Sequence, residues 1–143
     1  MSLDNPEARR GLLRNPEYNN KNIWNYAGLQ YGKATPTDID SFMELQDKAF
    51  LFLEYKRSGS ELPLGQKIAL ERLVDAITKP SLLIIAEWDD SIPQPIDIGK
   101  LLVVSYRYQK QTRTPEQPTT CKMIADWFFN KHVFQAIEAS PPG

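Results

Sequence analysis

The chain has 143 residues, 41% hydrophobic and 24% charged, with 17 Lys and Arg against 18 Asp and Glu for a net charge of −1. That length and balance exclude a disordered or fibrous polypeptide and fit one globular domain with its own core. The near-neutral charge excludes a broad non-specific nucleic-acid surface, although an acidic site that takes metal ions can offset basic residues elsewhere.

Residues 1–22 are polar and broken by Asn5-Pro6, Asn15-Pro16 and Asn19-Asn20, which predicts a loosely held arm. Arg9, Arg10 and Arg14 are available there to meet phosphates. A single domain over residues 23–140 follows. Ile23, Trp24, Tyr26, Leu29 and Tyr31 supply apolar surface expected to cover one side of the hairpin that comes next.

That hairpin is predicted over Asp38 to Leu45 and Ala49 to Lys56, joined by a Gln46-Asp47-Lys48 loop. In this register Leu45 faces Ala49, Asp40 faces Glu54 and Asp38 faces Lys56. Side chains two apart share a face, so all four ionisable groups project from one side, with opposed pairs ~5 Å apart. A slip of one residue would disperse them. Opposed carboxylates repel unless a cation lies between them, and hard divalent ions such as Mg2+ prefer such oxygen ligands.

Arg57-Ser58-Gly59-Ser60 is a turn signal. A helix is predicted from Leu62 or Pro63 to Lys79, ended by Pro80, with Gln66, Leu70, Leu73 and Ile77 on its buried stripe. A polar amide on that stripe needs a partner, and the group around Glu54 and Lys56 is the candidate. Lys67 turns about 100° away, which suits a surface or phosphate-contacting charge. Ser81 to Glu87 reads as a strand buried on both faces and reached by a right-handed parallel crossover. Asp89 to Pro95 is a loop, and Ile98 to Tyr106 another strand.

Arg107, Lys110 and Arg113 lie in a polar stretch ending at Pro115 and Pro118, the best basic patch and a candidate mobile loop for nucleic-acid contact. The last element, from Thr120 to Ala139, is predicted as an amphipathic helix with Met123, Trp127, Phe134 and Ile137 on one face. Its His132 is read as a partly exposed helix residue and not as a base. One Cys, Cys121, closes no internal disulfide and with one His builds no zinc site. With no apolar run near the ~20 residues of a membrane span and no charged-then-apolar leader, a cytoplasmic, non-membrane protein is expected.

Pro36-Thr37-Asp38-Ile39-Asp40, Glu54-Tyr55-Lys56 and a helix opening with Gly65-Gln66-Lys67 together resemble the PD-(D/E)XK nuclease superfamily. The resemblance covers the middle third of the chain. It implies an α/β protein, a small three-layer α/β/α restriction-endonuclease-like fold with a mixed central sheet. It further implies a nuclease that hydrolyses phosphodiester bonds of nucleic acid, DNA foremost, with Mg2+ or Mn2+. Asp40 and Glu54, with Asp38 and a backbone carbonyl near Tyr55, would hold the metal. Lys56 would orient the attacking hydroxide, Gln66 would steady the site, and Glu17 is an extra acidic ligand of the kind some members use. Lys67, Arg107, Lys110 and Arg113 would contact the nucleic acid, and a homodimer would let so small an enzyme cut both strands. The superfamily often has Pro and Asp adjacent. Here Thr37 intervenes and both Asp38 and Asp40 compete for the first-acid role. The alternative is a catalytically inactive nuclease-like fold that binds protein or nucleic acid.

Overall fold

A computed structural model describes residues 25–135 and 141–142. The readings placed on Arg9, Arg10, Arg14, Glu17, Ile23, Trp24 and Ile137 lie outside the described residues. By its contacts the chain divides into Met1–Thr37 and Asp38–Gly143. The described part of the first unit holds a 3-10 turn, Ala27–Leu29, and a bridge between Tyr31 and Ala34. Tyr26, Leu29 and Tyr31 are exposed there.

The second unit runs β1 (Ser41–Leu45), β2 (Ala49–Arg57), α1 (Leu64–Ala76), β3 (Ser81–Trp88), β4 (Leu102–Tyr108), β5 (Gln111–Arg113) and α2 (Cys121–His132). The strands form one sheet in that order, with β2 and β3 parallel and the other pairs antiparallel. It is an α/β unit with a five-stranded mixed sheet and two helices. Among the described residues no helix is long and apolar enough to cross a membrane.

The first hairpin has the expected register, Leu45 opposite Ala49 and Ser41 opposite Leu53. Gln46 and Asp47 take positive φ of 53° and 58°, and Lys48 N–H donates to the Leu45 carbonyl at 2.9 Å. Such a turn matches the natural twist of paired strands. Lys79 braces it, 2.6 Å from the Asp47 carboxylate. Gly59, at φ 84°, makes the next turn with a backbone that a side chain would strain.

Alternation along the strands sends side chains to two cores. Leu51, Leu53, Leu82, Ile84, Ala86, Tyr106 and Tyr108 pack beneath α2 with Cys121, Ile124, Trp127 and Phe128. Phe52 and Leu83 pack on the other face with Leu70 and Val74 of α1. Each fully buried large side chain contributes ~1.5–3 kcal/mol, so the larger core under α2 carries most of the stability.

Both helices are shorter than predicted. α1 stops at Ala76 because Ile77 is already extended, and Val74, four residues after Leu70, takes the inward place expected of Leu73. α2 stops at His132, leaving Phe134 exposed, and its buried line runs through Cys121, Ile124 and Phe128 while Met123 faces outward. Thr120 caps it, its side chain accepting the Met123 N–H at 3.3 Å. Residues Ile98–Lys100 form a 3-10 turn instead of strand, because the Asp97 side chain accepts the Gly99 N–H at 3.0 Å. The basic stretch expected as a mobile loop is a hairpin. Gln109 and Lys110 take φ of 52° and 63° and return the chain into β5.

Candidate active site

The β1–β2 ladder stops at Ser41 and Leu53, and two carboxylates take over from the backbone. Asp40 N–H donates to Glu54 Oε1 at 3.1 Å, and Tyr55 N–H donates to Asp40 Oδ2 at 2.8 Å. Each acid thus satisfies the main chain of the opposite segment, and the pair is held by reciprocal bonds at the point where the strands part. Gln66 Nε2 donates to Glu54 Oε2 at 3.2 Å, supplying the partner that a polar residue on the inner stripe of α1 requires.

Glu54 is 1% exposed. Burial, followed by the Asp40 carboxyl beside it and the charge of Asp38, raises its pKa from 4.5 to about 7 against the opposing pull of the Asp40 N–H. A carboxyl whose proton is favoured first by burial and further by an adjoining acid is also a place where a cation relieves repulsion.

Lys56 follows Glu54 on the same face. Its ammonium donates to the Ser60 carbonyl at 2.7 Å and lies 3.8 Å from the Glu87 carboxylate. Glu87 is its register partner on β3. The carboxylate found beside the Lys56 ammonium is that of Glu87, where the hairpin register suggested Asp38. Asp38 reaches the site through its field at Glu54. Tyr55 brings its main chain only, since its ring turns to the α2 face and its hydroxyl hydrogen-bonds with Ser41.

The four basic residues assigned to nucleic acid are dispersed in role. Arg107 is bound to Asp75 by two hydrogen bonds of 2.8 and 2.7 Å and lies 3.9 Å from Glu71, so it ties β4 to α1. Lys110 occupies a hairpin turn, and Arg113 lies on β5, donating to Gln111 at 3.2 Å. Lys67 lines a cleft that it shares with Lys56. His132 hydrogen-bonds with the Tyr108 hydroxyl at 2.7 Å beside Phe128, and burial lowers its pKa. Burial likewise pushes the Cys121 thiol up to about 11, which suits a core residue.

Sequence reasoning missed Glu87. The parallel register that sets it beside Lys56 is fixed by the crossover helix and not by a turn, so no local signal announces it.

The donor set fits Mg2+ or Mn2+. Asp40 and Glu54 offer hard oxygens, and Mg2+ is commonly held by one or two carboxylates with waters and substrate phosphate. Among the described residues no group of three or more His, Cys, Asp or Glu side chains gathers, so the pair would leave most of the coordination shell to water and substrate. Comparison with protein-family models, curated proteins and solved structures finds no match to this chain. The resemblance to the nuclease superfamily therefore rests on the sequence motifs alone.

Proposed function

We propose that the chain is a metal-dependent nuclease of PD-(D/E)XK type with a restriction-endonuclease-like fold, acting on phosphodiester bonds of nucleic acid, DNA foremost. The observation that carries this reading is the convergence of the Asp40 and Glu54 carboxyls where the strands part, with Gln66 on one of them. Asp40 and Glu54 would hold Mg2+ or Mn2+, with Asp38 and the Tyr55 carbonyl nearby. When bound, the ion would lower the pKa of a coordinated water by several units from ~15.7. Gln66 fixes the orientation of the Glu54 carboxylate. Lys56 sits one alternate position along the strand, where exchange of its long contact to Glu87 for a phosphoryl oxygen would offset charge developing on the phosphate. Water oxygen adds to phosphorus as the bond to the 3′ oxygen breaks, leaving a 5′-phosphate and a 3′-hydroxyl.

The second reading keeps the architecture and drops the chemistry. In its favour, both Glu54 oxygens and the Lys56 ammonium already have internal partners. The deciding assay incubates plasmid, linear, branched and single-stranded substrates with Mg2+ or Mn2+. Wild type is expected to cleave at least one of them, and Glu54→Gln and Lys56→Ala to lose ~100-fold or more. Cleavage surviving in both variants, or none in wild type, favours the binding module.

A further inference from the structure

Beside the acid pair the sheet surface opens into a cleft of about 400 Å3, within the ~300–1,000 Å3 of sites that enclose a whole small ligand. Its floor is Ile85 and Val104, and Leu62 and Leu64 form a wall. Ile85 is the register partner of Glu54, and Ser105 that of Ile85, so the cleft begins one strand spacing, roughly 5 Å, from the acid pair. A β-bulge in β4 lies between the Ile85 and Ala86 pairings, and Val104 is the extra residue there. Bulges commonly re-aim side chains beside active sites, and this one brings Val104 to the cleft alongside Ser105.

We propose that this cleft receives a single unstacked nucleotide of the substrate, its base against the aliphatic wall and floor and its phosphate on Lys67. The identity of the occupant rests on the nuclease reading of the acid pair; the shape and charge are independent of it. Lys67 is half-buried at the cleft and forms no ion pair among the described residues. Among the described lining residues it stands with Lys56, which also lies 3.8 Å from Glu87, against one acid, Glu61, and this complements a phosphate. The remaining lining is aliphatic, with the Ser105 hydroxyl for a base edge. Among the described residues no aromatic ring lines the cleft, so they supply no stacking platform of the kind that holds a run of bases. A base still stacked and paired cannot enter such a hole without leaving its duplex. Single strands, frayed ends and unpaired positions are therefore the substrate class, and the interior of a blunt duplex is disfavoured.

Fluorescence anisotropy in EDTA tests this, using a short fluorescein-labelled oligothymidylate and a blunt duplex of equal length. Wild type is expected to bind the single strand at least about tenfold more tightly, since duplex binding must also unpair a base. Lys67→Ala should weaken single-strand binding about tenfold, the scale of one charge-assisted contact. Leu64 is 72% exposed in the first turn of α1, so Leu64→Asp leaves the fold intact while setting a negative charge on the cleft wall; it too should weaken single-strand binding. Equal affinity for the two probes, or single-strand binding indifferent to both substitutions, overturns the proposal. Because nothing is cleaved in EDTA, selective binding by a protein that later fails the cleavage assay removes the nuclease and keeps the cleft. Cleavage by a protein without this selectivity does the reverse.

Discussion

The two faces of the sheet are built to different ends. Beneath α2 the strands present Leu51, Leu53, Ile84, Ala86, Tyr106 and Tyr108, all buried, and rings of Tyr108, Trp127 and Phe128 meet edge to face or tilted at 5.0 to 6.4 Å. Beneath α1 the buried apolar cluster is smaller, Phe52, Leu83, Leu70 and Val74 with Phe50 and Ile77 against it, and the face then passes into Glu54, Lys56 and Glu87. One helix seals a hydrophobic core, whereas the other covers part of its face and leaves a polar strip with an open cleft. The larger core and the polar strip are thereby separated across a single layer of backbone, and β2 serves both, with Leu53 and Tyr55 on one side and Glu54 and Lys56 on the other.

The largest effect that would test this division is Phe128→Ala, which removes the fully buried ring at the centre of the α2 face. It should cost ~3–5 kcal/mol in urea unfolding, while the Glu54–Asp40–Gln66 bonds on the far face are undisturbed at temperatures where the variant is folded. A loss below 1 kcal/mol would mean that the α2 face is not the stabilising one.

The polar face predicts the opposite sign. The folded pKa of Glu54, about 7, lies above its ordinary 4.5, so the protonated folded state is favoured. That contribution is full below pH 4.5 and is lost as pH rises through about 7. In the absence of divalent metal Glu54→Gln should therefore raise stability near pH 8 by an amount on the order of 3 kcal/mol, and by almost nothing at pH 4. Parallel stability–pH curves for the two proteins would contradict the raised pKa.

A smaller effect sharpens the boundary between chemistry and scaffold on the α1 face. Arg107→Gln breaks the bridge to Asp75 and Glu71. It should cost ~1–3 kcal/mol without changing affinity for nucleic acid by more than about twofold. A marked loss of affinity with intact stability would return Arg107 to the contact surface.

How far this division could be read from the sequence depended on where the determinants were local. The β1–β2 register was legible because Gln46 to Lys48 fix it, and with it came the meeting of Asp40 with Glu54. Gln66 was legible as a polar residue in an apolar stripe, even though Val74 and not Leu73 continues that stripe. Local turn chemistry misled at Gln109-Lys110, which lacks the Gly or Asn that such turns favour, so β5 was read as loop. Arg107 was read as a free charge because Asp75 and Glu71 meet it only after α1 docks on the sheet. The cleft was invisible for the same reason, since its lining comes from β2, the start of α1 and the segment before it, β3 and β4, and one of its residues is turned inward by a bulge.

A divalent-cation site formed by Asp40 and Glu54 is the central proposal for this protein. Isothermal titration calorimetry of Mn2+ into wild type and into Glu54→Gln measures this without any substrate. A saturable heat is expected in wild type at pH 8, weakening as pH falls through about 7 because protons compete for Glu54, and absent in the variant. No heat in wild type, or the same heat in both proteins, contradicts it.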